Sequence, residues 1–198
     1  MKKYINLLAS NKNIRILAIT QMISSFGAIF SFTGIYTLLV GFDAPTWAIS
    51  LTSAMAFIPG IILAPFTGVI VDRFAPYRLL MGFMAVETFS VLLLIPINSM
   101  GWFWFLQSVI FLRMAVASVQ FGAQMSLLPQ LLNADELKLA NEIYSVIWAI
   151  SFAAGMGLSG VYVHYFGAVS SFVFDFVLLF FIVVFFLLFI FQFQFVFE

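Results

Sequence analysis

Residues 68–78 read GVIVDRFAPYR, a short charged turn between two long apolar stretches. These stretches, 47–71 and 78–97, are both long enough to cross a membrane as a helix, which takes roughly 20 mostly apolar residues. Arginines in a short turn between two such helices are typical of the cytoplasmic side of a membrane protein. The turn therefore predicts two spanning helices that are joined at the cytoplasmic surface.

The composition of the chain points to lipid as its solvent. Hydrophobic residues make up 64% of the 198 residues and charged residues only 8%, whereas a soluble domain carries about 25% charged residues. The formal net charge is zero, which gives no indication of a nucleic-acid partner. Because there is no cysteine and only one histidine, His164, we expect neither a metal site nor another cofactor.

The remaining apolar runs extend the pattern to six spanning helices in one domain. No linker rich in proline, serine or glycine divides the chain. We predict an all-α integral membrane protein, a six-helix bundle with spans at about 15–40, 47–71, 78–97, 102–128, 139–165 and 167–190.

The basic residues predict the orientation of this bundle. If six helices alternate across the bilayer, seven of the eight basic residues fall on one side: Lys2, Lys3, Lys12, Arg15, Arg73, Arg78 and Lys138. Such segregation marks the cytoplasmic side. We therefore predict a multi-pass protein of the cell membrane, the inner membrane of a bacterium, with a cytoplasmic N-terminus.

The tail is atypical. From Phe180 the sequence is almost entirely Phe, Val, Leu and Ile, and residues 191–198 contain no Lys or Arg to follow a helix that ends in the cytoplasm. Our hypothesis is that the chain is truncated, and that its last residues come from out-of-frame translation or an artificial end.

The turn at 68–78 also carries a candidate gate. Asp72 and Arg73 stand at a helix end, where a carboxylate can pair with an arginine or with the positive N-terminus of another helix. Such a pair can form and break as helices rock. Alternatively, the charges only fix the topology.

Gly68-x-x-x-Asp72-Arg73, followed by Arg78, resembles the signature loop of the major facilitator superfamily. The resemblance implies a cytoplasmic gate built from Gly68, Asp72, Arg73 and Arg78. The chain departs from the fullest form of the motif at residues 75–77, where Ala, Pro and Tyr replace Gly and two basic residues.

A second stretch resembles the macrolide-efflux and enterobactin-exporter members of that superfamily. It comprises SLLP at 126–129, ADEL at 134–137 and AN at 140–141, together with Asp175 in the sixth helix. The resemblance implies the N-terminal half of an exporter of a small amphipathic molecule, driven by proton exchange. Its partners would be the bilayer, the substrate, and a C-terminal half or a second copy.

Three ionisable residues lie deep within the predicted spans. Arg113 is about 11 residues, or about 16 Å, into the fourth helix, which is near the midplane of a core about 30 Å thick. Inserting arginine there costs about 2.5–3.5 kcal/mol, so it should face a partner or a wet cavity. Glu87 and Asp175 lie at comparable depth, and either could pair with Arg113 or carry a proton. A static ion pair remains the alternative.

Polar and small residues recur at helical spacing in three spans. Gln21 and Ser25 share one face of the first helix, and Gln120 and Gln124 one face of the fourth, where they either line a substrate pathway or join helices. Close helix packing is predicted for the face of the fifth helix that carries Ser151, Gly155 and Ser159. The segment 155–160 also resembles the helix-5 motif of drug–proton antiporters, with Met156 in place of its proline.

These features together favour a secondary transporter over an enzyme. The sequence has no cluster of His, Asp and Glu, no G-x-S-x-G turn and no nucleotide-binding loop. The alternative is a membrane accessory protein that does not transport, or an inactive fragment. We expect the single bundle to be inactive without a second half.

Overall fold

The computed structural model describes residues 2–74 and 76–193, and within them every regular element is helical. Eight α-helices follow one another, interrupted by one 3₁₀ turn at Met100–Trp102. They are α1 (Lys2–Ser10), α2 (Lys12–Gly41), α3 (Thr46–Met55), α4 (Ile58–Arg73), α5 (Pro76–Leu92), α6 (Phe103–Leu131), α7 (Ala134–Phe166) and α8 (Ala168–Phe193). Residues 194–198, which form most of the atypical tail, lie outside the described residues.

The all-α membrane fold is confirmed. Five stretches of the described residues are long and apolar enough to cross a membrane: Ile14–Gly41, Thr46–Arg73, Met100–Leu131, Ala134–Phe166 and Ala168–Phe185. The third predicted helix corresponds to α5, which has only 17 residues, about the shortest length that spans a bilayer.

Proline explains where two helices end. A proline ring collides with the carbonyl four residues before it, so Pro96 prevents α5 from continuing past Leu92, and the chain turns through 3₁₀-type bonds to Ile97. In the same way Pro59 ends α3 at Met55 and breaks the second predicted helix in two.

The polar start of the chain folds into an additional helix, α1, which the sequence did not predict. It packs against α2 and α7. Asn11 separates α1 from α2, and its side chain accepts a hydrogen bond from the Ile14 backbone N–H at 3.2 Å. This bond satisfies one of the free donors at the start of α2.

The spans pack in two groups of three. α2 lies against α7 and α8, α6 lies against α4 and α5, and contacts between α5 and α8 join the groups. Exchanging the first three spans with the last three maps the two contacts of α2 onto the two contacts of α6 and leaves the α5–α8 contact unchanged. The bundle thus has the arrangement of an inverted repeat, although no repeat is visible between the residues.

Candidate functional site

A buried ion pair joins α6 to α8. Arg113 Nη2 lies 2.8 Å from Asp175 Oδ2, and the two side chains are 5% and 0% exposed. Ser31 of α2 donates its hydroxyl to the same Asp175 oxygen at 2.5 Å. Three helices therefore converge on one carboxylate, whose charge strengthens both hydrogen bonds.

Glu87 brings α5 into the same cluster. Its side chain is buried, and it interacts electrostatically with both Arg113 and Asp175. The cluster therefore holds two acids and one base, so that its charge is balanced when it takes up one proton. The three residues predicted to lie at similar depth are all buried, and two of them, Arg113 and Asp175, are in direct contact.

Two atoms of the cluster are buried without a hydrogen-bond partner among the described residues, Arg113 Nη1 and Asp175 Oδ1. Oδ1 lies against Gly27, so close that a Cβ on this glycine would collide with it. Gly27 and Ser31 are four residues apart on the face of α2 that meets α8. Neither residue was predicted to lie at this site, although small residues four apart are a sequence signal of close helix packing.

The polar residues on α2 and α6 form two separate groups. Gln21 Nε2 donates to Ser25 Oγ at 2.9 Å, and both side chains are half-buried. Gln120 and Gln124 are buried, and the Oε1 atoms of both have no partner among the described residues. Gln107, which the sequence analysis did not single out, donates to Thr52 at 2.6 Å and joins α6 to α3.

The small residues of α7 lie at its contact with α2. Ser159 is within 2.6 Å of the Thr33 hydroxyl, and Ser151 donates weakly to the Met22 carbonyl at 3.5 Å. A Cβ on Gly155 would come within 3.0 Å of Ile29. All three small residues are buried, so α2 is fixed between α7 and α8.

The gate residues are exposed at the end of α4 and the start of α5. Asp72, Arg73 and Arg78 make no hydrogen bond or ion pair with another residue in the described part of the chain. A Cβ on Gly68 would meet nothing within 4 Å. Ala75, and the side chains of Pro76 and Tyr77, are outside the description. The bundle itself therefore supplies no partner for this motif within the described residues.

Among the described residues, no group of three or more His, Asp or Glu side chains is placed to hold a metal ion. Asn133 and Glu136 form a capping box at the start of α7. Glu136 N–H donates to Asn133 Oδ1 at 2.9 Å, and Asn133 N–H donates to Glu136 Oε2 at 3.2 Å. These bonds fix the start of α7.

Comparison with known proteins relates the chain to a family of transporters. Residues 10–193 match the family model described as the Major Facilitator Superfamily. The chain is also 24% identical over 146 residues to the "Uncharacterized MFS-type transporter YvqJ" of Bacillus subtilis (strain 168), in an alignment that covers 70% of this chain and 34% of that protein. The chain thus spans about a third of the length of this relative. Neither match distinguishes a macrolide-efflux or enterobactin-exporter subgroup.

Proposed function

Because the chain belongs to the major facilitator superfamily, we propose that it forms the N-terminal half of a secondary transporter that exports a small amphipathic molecule by proton exchange. Its apolar helices and its family mark it as a multi-pass membrane protein of a transporter family. The direction of transport, the coupling ion and the orientation belong to the proposal. The observation that carries it is the buried cluster of Glu87, Arg113 and Asp175.

The cluster is suited to couple proton uptake to helix movement. Protonation of Asp175 would weaken its ion pair with Arg113 and its hydrogen bond from Ser31. Those two bonds join α8 to α6 and to α2. Their loss would free Arg113 to pair with Glu87, and would let the helices shift as the two bundles rock around a midplane site. A static ion pair would instead keep the three helices together throughout.

The substrate pathway in this proposal runs along α2 and α6. Gln21 and Ser25 on α2, with Gln120 and Gln124 on α6, offer amide and hydroxyl groups to the polar part of the substrate. The unpartnered Oε1 atoms of both α6 glutamines support this role, because buried polar atoms without a partner are costly unless something binds them.

The partner in this proposal is a second six-helix bundle, either a C-terminal half or another copy of the chain. The support is the exposed gate motif, in which Asp72, Arg73 and Arg78 have no partner among the described residues. The segregation of basic residues supports a cytoplasmic N-terminus in a bacterial inner membrane. Because one bundle lacks the other wall of the pathway, we expect the chain alone to be inactive, and truncation stays a hypothesis.

The test measures efflux of a fluorescent amphipathic cation from cells that contain this chain with or without a second six-helix bundle. We expect efflux only with the second bundle. It should require an imposed proton gradient and be lost in Arg113→Ala and Asp175→Asn. Asp43→Asn is the matched control, because it changes an exposed acid in the turn that follows α2. Efflux by the chain alone would show that a second copy of the chain supplies the other bundle, and efflux that survives Asp175→Asn would contradict the coupling role.

If no combination of bundles gives efflux, the accessory-protein alternative gains support. The same cells can distinguish it, because an accessory protein co-purifies with an unrelated membrane protein rather than with a second bundle. Equal efflux from Asp43→Asn and the parent chain would show that the cells respond to the buried site rather than to any loss of an acid.

A further inference from the structure

Helix α1 closes one side of an apolar groove at the end of the bundle where the N-terminal basic residues lie. The groove lies between α1, α2 and α7 and has a volume of about 610 Å³. Its walls are mainly aliphatic, with Ile5, Leu8, Ile19, Met22, Val146 and Ile147 among the lining residues.

The groove reaches about two thirds of the depth of one lipid leaflet. Along α2 it extends from Arg15 to Met22, a distance of about 10 Å at 1.5 Å per residue. Half of a bilayer core is about 15 Å thick. Ile19 and Met22 are each 45% exposed and Val146 is 56% exposed, so the walls of the groove are open to an acyl chain.

Two opposite charges stand beside this apolar surface. Arg15 donates one long hydrogen bond, of 3.4 Å, to the Leu8 carbonyl, and its other donors remain available. Glu142 accepts a hydrogen bond from the Tyr4 hydroxyl at 2.8 Å through Oε2, and the two oxygens of a carboxylate can each accept more than one hydrogen bond. The groove thus offers donors for a phosphate and an acceptor for a cation.

A polar cleft adjoins the groove on the other side of the Tyr4–Glu142 contact. It has a volume of about 760 Å³ and is lined by Lys138, Asn141 and Ser145. Tyr4, Glu142 and Val146 line both spaces. An amphipathic molecule can therefore place its chain in the apolar groove and its head beside the polar cleft.

We propose that this site binds an aminophospholipid of the adjacent leaflet. One acyl chain lies along α2, the phosphate accepts hydrogen bonds from Arg15, and the primary ammonium donates to Glu142. A primary ammonium has three N–H donors, whereas choline has none and a glycerol headgroup has no positive charge. Charge-assisted hydrogen bonds to both ends of a zwitterionic head select phosphatidylethanolamine over lipids with either of the other headgroups.

The experiment measures lipid retention by the purified chain. The chain is placed in bilayer discs of phosphatidylcholine that contain equal small fractions of phosphatidylethanolamine and phosphatidylglycerol, and bound lipids are counted by native mass spectrometry after mild delipidation. We expect phosphatidylethanolamine to be retained above the other two. Glu142→Gln should reduce this preference about tenfold, as expected for loss of one charge-assisted hydrogen bond.

Two further variants separate the headgroup contact from the groove. Asp135→Asn changes an exposed acid on the same helix but outside the groove, and should leave retention unchanged. Val146→Trp fills the groove from an exposed position and should reduce retention of every lipid. Circular dichroism checks that each variant keeps its helices.

Three outcomes would overturn the proposal. They are equal retention of ethanolamine and choline lipids, stronger retention of phosphatidylglycerol, and a preference that survives both Glu142→Gln and Val146→Trp. Stronger retention of phosphatidylglycerol would identify a basic patch for anionic lipids instead. None of these outcomes depends on whether the chain transports anything.

Discussion

The buried cluster of two acids and one base should respond asymmetrically to neutralisation. Arg113→Gln leaves Glu87 and Asp175 buried without a cation, so we expect it to lower the free energy of unfolding by about 3–5 kcal/mol, the usual cost of removing one partner of a buried ion pair. Glu87→Gln leaves the 2.8 Å Arg113–Asp175 contact intact. It should therefore cost only about 1 kcal/mol, as for an uncharged hydrogen-bonding group.

The destabilisation caused by Asp175→Asn should lie between those caused by Arg113→Gln and Glu87→Gln. The amide retains the shape of the side chain, and Glu87 remains to balance Arg113. However, the hydrogen bonds from Arg113 and Ser31 lose their charge assistance, which is a loss of about 1.5–3 kcal/mol. The expected order of destabilisation is therefore Arg113→Gln, then Asp175→Asn, then Glu87→Gln.

The assay is reversible unfolding of the purified chain in mixed micelles, followed by tryptophan fluorescence as denaturing detergent is added. Asp43→Asn is the control, because Asp43 is exposed and has a positive φ of 52°, which asparagine also tolerates. If Glu87→Gln destabilises the chain as much as Arg113→Gln does, the three groups do not share one charge balance and the reasoning is refuted.

Three further predictions concern packing, capping and α1. Gly27→Val should lower the free energy of unfolding by about 1–3 kcal/mol through overpacking, because its Cβ would meet Asp175. Gly68→Val, in open space, is the control in the same unfolding assay. Equal effects of the two substitutions would contradict the contact between Gly27 and Asp175. Asn133→Ala should cost about 1 kcal/mol, measured in that assay, through loss of the α7 cap. The hydrogen bond to Glu142, with the charge of that carboxylate, raises the pKa of the Tyr4 phenol above 10.0. The contact of Tyr4 with α7 is therefore complete below pH 10.0 and is lost as the pH rises through the raised pKa. Hydrogen exchange of the α1 amides should show this loss, and Tyr4→Phe should abolish the pH dependence.

The sequence predicted the elements that depend on length and composition. Long apolar runs with few charges can fold only as spanning helices in lipid, because each backbone polar group must be satisfied within its own helix. Five of the six predicted spans therefore meet the length for crossing a membrane. Depth was also predictable, because a fixed rise per residue placed Arg113 and Asp175 at comparable heights.

What the sequence did not predict depends on rotation about the helix axis and on local breaks. Depth does not show which faces of α2 and α8 meet, and so Ser31 and Gly27 were not assigned to the Asp175 site. Helix α1 was missed because its stability comes from packing on α2 and α7 rather than from an apolar run. The break at Pro59 was not predicted in the span 47–71, because whether a proline bends or ends a helix depends on whether neighbouring groups support the interrupted helix.

The charged residues of this bundle occur in two contrasting settings. Arg113 and Asp175 complete their contacts within the bundle and are shielded from solvent, so their interaction does not require another bundle. Asp72, Arg73 and Arg78 are exposed and without partners among the described residues, so in the function proposed above their contacts would be made with the second bundle. Exposed ion pairs contribute only about 0–1 kcal/mol, so they can form in one conformation of a transporter and break in another. A buried ion pair is costly to break, because removing one partner leaves the other charge buried and uncompensated. In a rocking mechanism the exposed motif would therefore adjust the balance between the two orientations, and the step that needs a chemical trigger, such as a proton, would be the opening of the buried pair.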